Sequence, residues 1–443
     1  MQYQHTPKIN IPQSGQPRLI IIGGGFAGMK LAFRLKNKGL QVVLLDRNNY
    51  HTFQPLLYQV ATAGLEPDSI AGPIRKQLEP DPNFFFRMAK VEQIDSEGKK
   101  VFTEIGELSY DYLVIAAGSK TNYYGIDSIM KNAFSLKKIP DALDFRHHIL
   151  QNFEMAVNHP SRKQISPYLN IVIAGGGPTG VEMAGALGEL KKSVLPKDYP
   201  EMDFSGMKII LVEGQQRLLG AMSPRSSERA LRYLQKFGVE VKLNTLVDGF
   251  DGEMVKLSNG EKIESRSLLW ASGVKGNLIG GLPEEAIESN RIRVDHYNQV
   301  KGTEDIFAIG DLALMKTEHY PYGHPMVAPV AIQQARLLTN NLIALRKGKK
   351  MKEFHYVDKG TMATIGRNKA VVDLPGNIRM GGLPAWVIWM FVHLVSIYGL
   401  RNKIVVLINW IYNYFTYDKG TRLIMRRFKP AFLNHKEQSK EVA

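Results

Sequence analysis

Two glycine clusters share the spacing G-x-G-x-x-G: Gly23-Gly24-Gly25-Phe26-Ala27-Gly28 and Gly175-Gly176-Gly177-Pro178-Thr179-Gly180. Each follows a short apolar run, Leu19 to Ile22 and Asn170 to Ala174, and each opens a helical pattern, through Lys36 and to about Leu195. In that setting the first Gly makes the tight turn, the second lets backbone approach a pyrophosphate, and the third lets helix and strand pack closely. The helix N-terminus then offers the anion its free N–H groups and positive dipole end. A second strand follows in each copy, Gln41 to Leu45 and Lys208 to Val212, ending in an acid, Asp46 or Glu213. Such an acid takes the two ribose hydroxyls and repels a 2′-phosphate. Arg47 follows the first acid and joins the candidate binding residues.

The elements that position these loops read as a duplication. Tyr110 to Ser119 places Gly118 95 residues after Gly23, and Leu268 to Val274 places Gly273 98 residues after Gly175. Both follow a hairpin-like stretch, around Gly106 and around Asn259-Gly260. The acid lies 18 residues after the third Gly in the first copy and 33 in the second, which therefore carries an insertion, Lys191 to Met207. The predicted fold class is α/β: two Rossmann-like dinucleotide-binding domains, the second inserted in the first, plus a C-terminal amphipathic helical region.

Composition narrows the chemistry. A length of 443 residues implies two or three domains, and 44% hydrophobic with 22% charged residues excludes disorder, collagen and a simple coiled coil. The chain has no Cys, which removes disulfides, iron–sulfur clusters, thiolate zinc and any redox-active thiol pair. No metal site is expected. The first 18 residues are polar, so no secretory signal is expected and a cytosolic setting is favoured.

A formal charge of +15 calls for an acidic partner, and its location defines which one. From Gly399 to Ala443, nine Lys/Arg against three Asp/Glu give +6. Just upstream, Leu383 to Leu400 runs 18 residues without a charge, and nine of the 32 residues from Trp386 to Tyr417 are aromatic. Rings at headgroup depth and cations on phosphates fit segments lying in a membrane surface. Asn409, Asn413 and Thr416 form one polar stripe, an in-plane helix pattern that Arg422, Arg426 and Arg427 continue as a basic face beside Leu423, Ile424 and Phe428. The competing readings are a soluble hairpin, a homodimer interface and a true span; nucleic acid is not expected, for the basic residues flank lipid-like helices. Peripheral or monotopic placement on the cytoplasmic face of the cell membrane is the expectation.

Two tandem dinucleotide folds are what a flavoprotein needs to bring FAD and the nicotinamide of NADH together. With the strand Asp305 to Asp311 ending in Gly-Asp, the arrangement resembles the two-dinucleotide flavoprotein reductases and, within them, the type II (alternative) NADH dehydrogenases. The resemblance covers roughly Arg18 to Arg427. It rests on GGGFAG with Asp46, on His51 to Val60, on GGGPTG with Val181-Glu182, on Glu213, on IFAIGD, on Ala331 to Gln334 and on the aromatic C-terminal helices. It implies a non-proton-pumping respiratory NADH:quinone oxidoreductase, with an FAD-binding domain at 16–121 and 275–380, an NADH-binding domain at 122–274 and a membrane-association region at 381–443.

The same resemblance implies that Asp311 reaches the flavin's ribityl-phosphate region and that His51, Gln54, Pro55 and Tyr58 lie on a loop around the isoalloxazine. Glu182 would sit beside nicotinamide and flavin; its simpler reading is dipole stabilisation in the first turn of its helix. Gln333 and Gln334 resemble the quinone-site stretch Ala-Gln-x-Ala-x-Gln, in which the first Gln is here Pro329; the simpler reading is an amide on a solvent face. His393 reads as interfacial packing. Disulfide and sulfide:quinone reductases share the layout but need thiols that are absent here. The alternatives left are a soluble reductase with a protein acceptor and a membrane-docked flavoprotein that senses NADH.

Overall fold

The computed structural model describes residues 7–78, 81–161, 164–426 and 428. The first third contains β1 (Arg18–Ile22), α1 (Phe26–Leu35), β2 (Gln41–Asp46), the short α2 (Leu57–Ala61), β3 (Phe84–Met88) and β4 (Tyr112–Ile115). Next come α3 (Ile139–Val157), β5 (Ile171–Ala174), α4 (Pro178–Ser193), β6 (Ile209–Val212), α5 (Pro224–Lys236), β7 (Val239–Lys242) and β8 (Ser267–Trp270). The last third contains β9 (Ile306–Ala308), α6 (Ala328–Arg346), β10 (Thr361–Gly366), β11 (Lys369–Leu374), β12 (Ile378–Gly381), α7 (Leu383–Ser396) and α8 (Leu400–Thr416). Contacts divide the chain into two compact units: one of residues up to 51, 72–120 and 274–358, the other of 52–71, 121–273 and the chain from 359.

The first unit is built on a parallel sheet of order β9-β4-β1-β2-β3. Apolar residues run continuously along β1 because both faces are covered. Leu19 and Ile21 join the cluster beneath α1 and α6, and Ile20 and Ile22 join a second one with Ile94, Val101 and Leu108. The second unit repeats the plan with a parallel sheet of order β7-β6-β5-β8. β5 lies between β6 and β8 as β1 lies between β2 and β4, so the duplication read from motif spacing is also topological. The hairpins expected around Gly106 and Asn259-Gly260 are three-stranded antiparallel sheets, the extra strands being Val91–Asp95 and Val247–Phe250.

Residues 52–71 and 359–380, drawn from sequence into the FAD-binding domain, make their contacts in the second unit. The antiparallel sheet β10-β11-β12 lies against α4 and α5. The approach is close because α4 carries Gly185: a side chain there would start 1.8 Å from the carbonyl oxygen of Ile365 on β10. Asp373 of β11 accepts hydrogen bonds from the Ser223 N–H (2.6 Å) and the Ser226 hydroxyl (2.6 Å) at the start of α5.

The uncharged run from Leu383 breaks at Ser396, and the chain turns through Gly399 at φ +83° before α8 begins. At 14 residues α7 is roughly 21 Å long. Among the described residues no helix is long and apolar enough to cross a membrane. Asn409 and Asn413 of the polar stripe of α8 face the protein, not a headgroup layer, whereas Thr416 is exposed and donates to Tyr412 O of its own helix (2.9 Å). Asn402 donates to Ala71 O (2.8 Å), Asn409 to Glu66 (2.7 Å) and Asn413 to Gly64 O (3.1 Å), while the Trp410 indole donates to Gln59 (2.8 Å). The opposite side exposes Leu400, Ile404, Ile408, Ile411 and Phe415, the last by 76%, and α7 exposes Leu383, Val387, Phe391 and Val395. The expected basic face is partly consumed: Arg422 pairs with Asp198 (2.6 Å) and Arg426 with Asp144. Arg427 and most of the chain beyond it lie outside the described residues.

Gly185→Ala tests this packing. The added methyl must lift β10 off α4 at a cost of about 1–3 kcal/mol. A lowered unfolding temperature together with a red-shifted Trp emission is expected.

Candidate functional site

The two glycine loops have nearly the same geometry. Gly23 and Gly175 adopt φ +107° and +108°, a region closed to ordinary side chains, and a Cβ on either would strike Ala116 or Ala271 backbone within 2.7 Å. A Cβ on Gly28 or Gly180 would lie 1.8 Å from the carbonyl oxygen of Gly23 or Gly175. A Cβ on Gly25 or Gly177 would meet no protein atom within 4 Å. Each of those two residues is the N-cap of its helix and makes no side-chain cap, so the first-turn N–H groups face that open space. A dinucleotide pyrophosphate fits there. Phe26 and Ala27 begin α1; Pro178 and Thr179 begin α4 and are exposed.

The distal acids brace the loops. Asp46 accepts from the Gly24 N–H (2.6 Å) and the Asn48 N–H (2.7 Å); Glu213 accepts from the Gly176 N–H (2.5 Å) and the Gln215 N–H (2.8 Å). Burial raises the Asp46 pKa, and the two backbone bonds act against that rise. His51, buried, holds Gly24 O through Nδ1 (2.8 Å) and meets Phe26 edge-on at 5.4 Å. Burial pushes its pKa down, so its part is to support the loop as a neutral ring. Arg47 is exposed.

Also in the first unit, Asp311 accepts from the Ser119 hydroxyl (2.5 Å), next to Gly118, and Gly310 turns at φ +78°. Gln334 is fully buried and accepts the Gly310 N–H (2.7 Å). Both ends of the Gln333 amide are engaged by Val357, whose carbonyl takes its N–H (2.9 Å) and whose N–H meets its oxygen (3.0 Å). The two glutamines thus hold backbone.

In the second unit, Gln54 and Pro55 form a one-turn 3-10 helix before α2. Gly273 adopts φ +121°, with the Tyr124 hydroxyl where its side chain would be. Glu182 lies in the second turn of α4, not the first, and is buried, so dipole stabilisation of an exposed helix end does not describe it. Its carboxyl takes the Thr364 N–H at 3.4 Å and opens on a cavity of about 860 Å³, confluent with solvent, between α4, β10 and the helices α2, α7 and α8. Tyr58, Trp386, Trp389, Trp410 and Tyr414 wall the cavity with aromatic surface, Gln59 adds an amide, and Glu189, Arg367 and Lys419 supply charge.

Burial drives the ionisation here. The Glu182 pKa is pushed up to about 8, with Thr364 and Trp389 acting against the rise, and the fully enclosed Tyr58 hydroxyl is raised well above its usual value. Lys419 is lowered to about 8 by burial and donates to Ala186 O (3.2 Å). His393 stacks on Trp389 at 4.0 Å and bonds its carbonyl (2.7 Å); burial lowers it to about 4, so it packs as a neutral ring.

Residues 17–335 match the family described as pyridine nucleotide-disulphide oxidoreductase, and residues 359–417 match the NDH2 C-terminal domain. The type II NADH:quinone oxidoreductase Ndh of Mycobacterium tuberculosis is 34% identical over 95% of this chain and 92% of its own length. The chain belongs to the type II NADH:quinone oxidoreductase family. A Haemophilus influenzae member is 31% identical over 80% of the chain and 86% of its own length. Plasmodium falciparum NDH2, solved in complex with NADH, shares the fold with a TM-score of 0.84 at 22% identity, covering 93% of this chain and all of that one.

Within this family member, sequence reasoning found both loops, both acids and Glu182. It missed Trp389, Trp410, Arg367 and Lys419 as cavity residues, though the crowding of three Trp after residue 385 was a signal. Gly25→Ala and Gly28→Ala separate binding from folding. The first meets no protein atom and should lose flavin absorbance yet unfold at the temperature of the flavin-stripped wild type; the second should lose flavin and unfold below that temperature.

Proposed function

We propose that this chain oxidises NADH with a bound FAD and delivers two electrons to a membrane quinone, without pumping protons. The reading rests on one observation above the others: an aromatic-walled cavity, with a buried carboxyl inside, lies beneath two helices that turn apolar faces outward. A lipid-soluble acceptor explains both. A protein acceptor or an NADH sensor explains neither.

Bound FAD would supply the hydride acceptor for NADH and the two-electron donor for the quinone. Gly23, Gly25 and Gly28 seat its pyrophosphate, Asp46 shapes that loop and reaches the ribose, and Asp311 with Ser119 serves the ribityl-phosphate end. Gly175, Gly177 and Gly180 seat NADH, and Glu213 favours it over the 2′-phosphorylated form. Glu182, protonated at neutral pH, holds a proton for the quinone oxygen, while Trp389 and Tyr58 keep water from it. Gln333, whose amide is taken up by the Val357 backbone, is not among the residues lining that cavity and is assigned no quinone contact.

The finer assignments follow from the same features. The exposed rows of α7 and α8 rest in the acyl boundary on the cytoplasmic face, and lipid is preferred to a second copy because exposed Tyr412 and Tyr417 rim them. Phe391→Glu with Ile408→Glu, on exposed positions, should release the protein from liposomes while its flavin content stays at wild-type level; retention would refute the lipid assignment.

The proton role sets the sign of a pH effect. The acid form of Glu182 is full below about 8 and is lost above it, so flavin reoxidation by quinone should fall as pH rises through that value. Glu182→Gln should slow reoxidation roughly 10- to 100-fold and flatten that limb, as read by rapid-mixing absorbance at the flavin band.

A further inference from the structure

At the far end of the cavity from Glu182, Arg367 occupies the turn between β10 and β11. Two bonds pin β10 along α4: the Thr364 N–H to Glu182 and the Arg367 N–H to Glu189 (2.5 Å). Seven residues separate the two acids, so these points lie about 10 Å apart along the helix. The Arg367 guanidinium is stacked between two rings, 4.0 Å from the centre of Tyr414 and 4.1 Å from that of Tyr417, and Trp386 lies beyond Tyr414 at 5.5 Å. Tyr417 reaches this position because it ends α8 in a left-handed conformation, φ +59°. A guanidinium held on both faces keeps its in-plane N–H edge fixed. Its Nη1 is buried and has no hydrogen-bond acceptor.

We propose that Arg367 is a quinone-contacting residue of this cavity, its Nη1–H holding one quinone carbonyl oxygen while the Tyr414 and Tyr417 stack fixes the donor. This rests on the cavity being the quinone site. The overall change is NADH + H⁺ + quinone → NAD⁺ + quinol, in which the two electrons from NADH place charge on the carbonyl oxygens that the protons then neutralise. A fixed cation is worth most on such an oxygen, in a site where burial has removed water. The Glu189 carboxyl beside the Arg367 N–H disfavours a fully anionic ligand such as a phosphate and favours a neutral carbonyl acceptor.

The experiment uses the full-length, FAD-loaded protein in detergent with a short-tailed 1,4-naphthoquinone and a short-tailed 1,4-benzoquinone. Quinone quenching of Trp emission reads binding directly, since three of the four Trp line the cavity. Arg367→Met should weaken quenching and raise the quinone KM at least tenfold, and should slow reoxidation while reduction by NADH stays within twofold. Arg367→Lys, which keeps charge but not the planar fork, should fall between. If Arg367→Met loses FAD, Tyr417→Leu, which frees one face of the guanidinium, should raise the quinone KM several-fold. Quenching and reoxidation at wild-type values in Arg367→Met overturn the role of Arg367, as does loss of liposome retention alone, which would mark it as a lipid-headgroup contact. Absence of quenching in the wild type overturns the cavity reading itself.

Discussion

The backbone of β10 lies so close to α4 that the Ile365 carbonyl fills the space a side chain at position 185 would need. Much of the second unit follows from that contact. It brings the Thr364 N–H to Glu182 and the Arg367 N–H to Glu189, which fixes two acids of one helix against a neighbouring sheet. It also carries β11 to the start of α5, where Asp373 reinforces the Ser223 cap of that helix. The cavity exists because that sheet and the helices α7 and α8 stand over α4, and burial of the Glu182 carboxyl there raises its pKa to about 8. Burying such a group in its charged form would be costly, and the neutral form avoids most of that cost.

The duplicated loops show how one solution to pyrophosphate binding is reinforced. In both copies the acid at the end of the second strand bonds the N–H of the second loop glycine, Gly24 or Gly176, and a further N–H two residues beyond itself. The loop is therefore held before any nucleotide arrives, which lowers the ordering cost of binding. A third brace holds the carbonyl of the same glycine in each copy: the His51 ring on Gly24 O (2.8 Å) and the Leu219 N–H on Gly176 O (2.8 Å).

The C-terminal helices reverse the usual arrangement of a surface helix. α8 spends its amides on backbone carbonyls and side chains of residues 59–71 and leaves its aliphatic row outside. In water that exposure is a liability. The polar contacts make the orientation unambiguous, because a buried amide without a partner would cost about 1–3 kcal/mol.

Motifs whose chemistry is local were legible from sequence. A glycine that must turn at positive φ, a strand buried on both faces and an acid at a strand end each declare themselves within a few residues, and the matched spacings of the copies extended that to the doubly wound architecture. Gln333 reads from sequence as a quinone-site amide and the Asn stripe of α8 as an in-plane polar face, but their partners, Val357 and residues 59–71, come from distant segments that no periodicity specifies. Arg367 and Lys419 carried no motif at all. Sequence determined which residues could do chemistry and how the two sheets are wound. Only tertiary structure decided which side of α8 faces outward, that burial raises the Glu182 pKa, and that three tryptophans line one cavity, because burial and hydrogen-bond partners are properties of the assembled surfaces and not of any single segment.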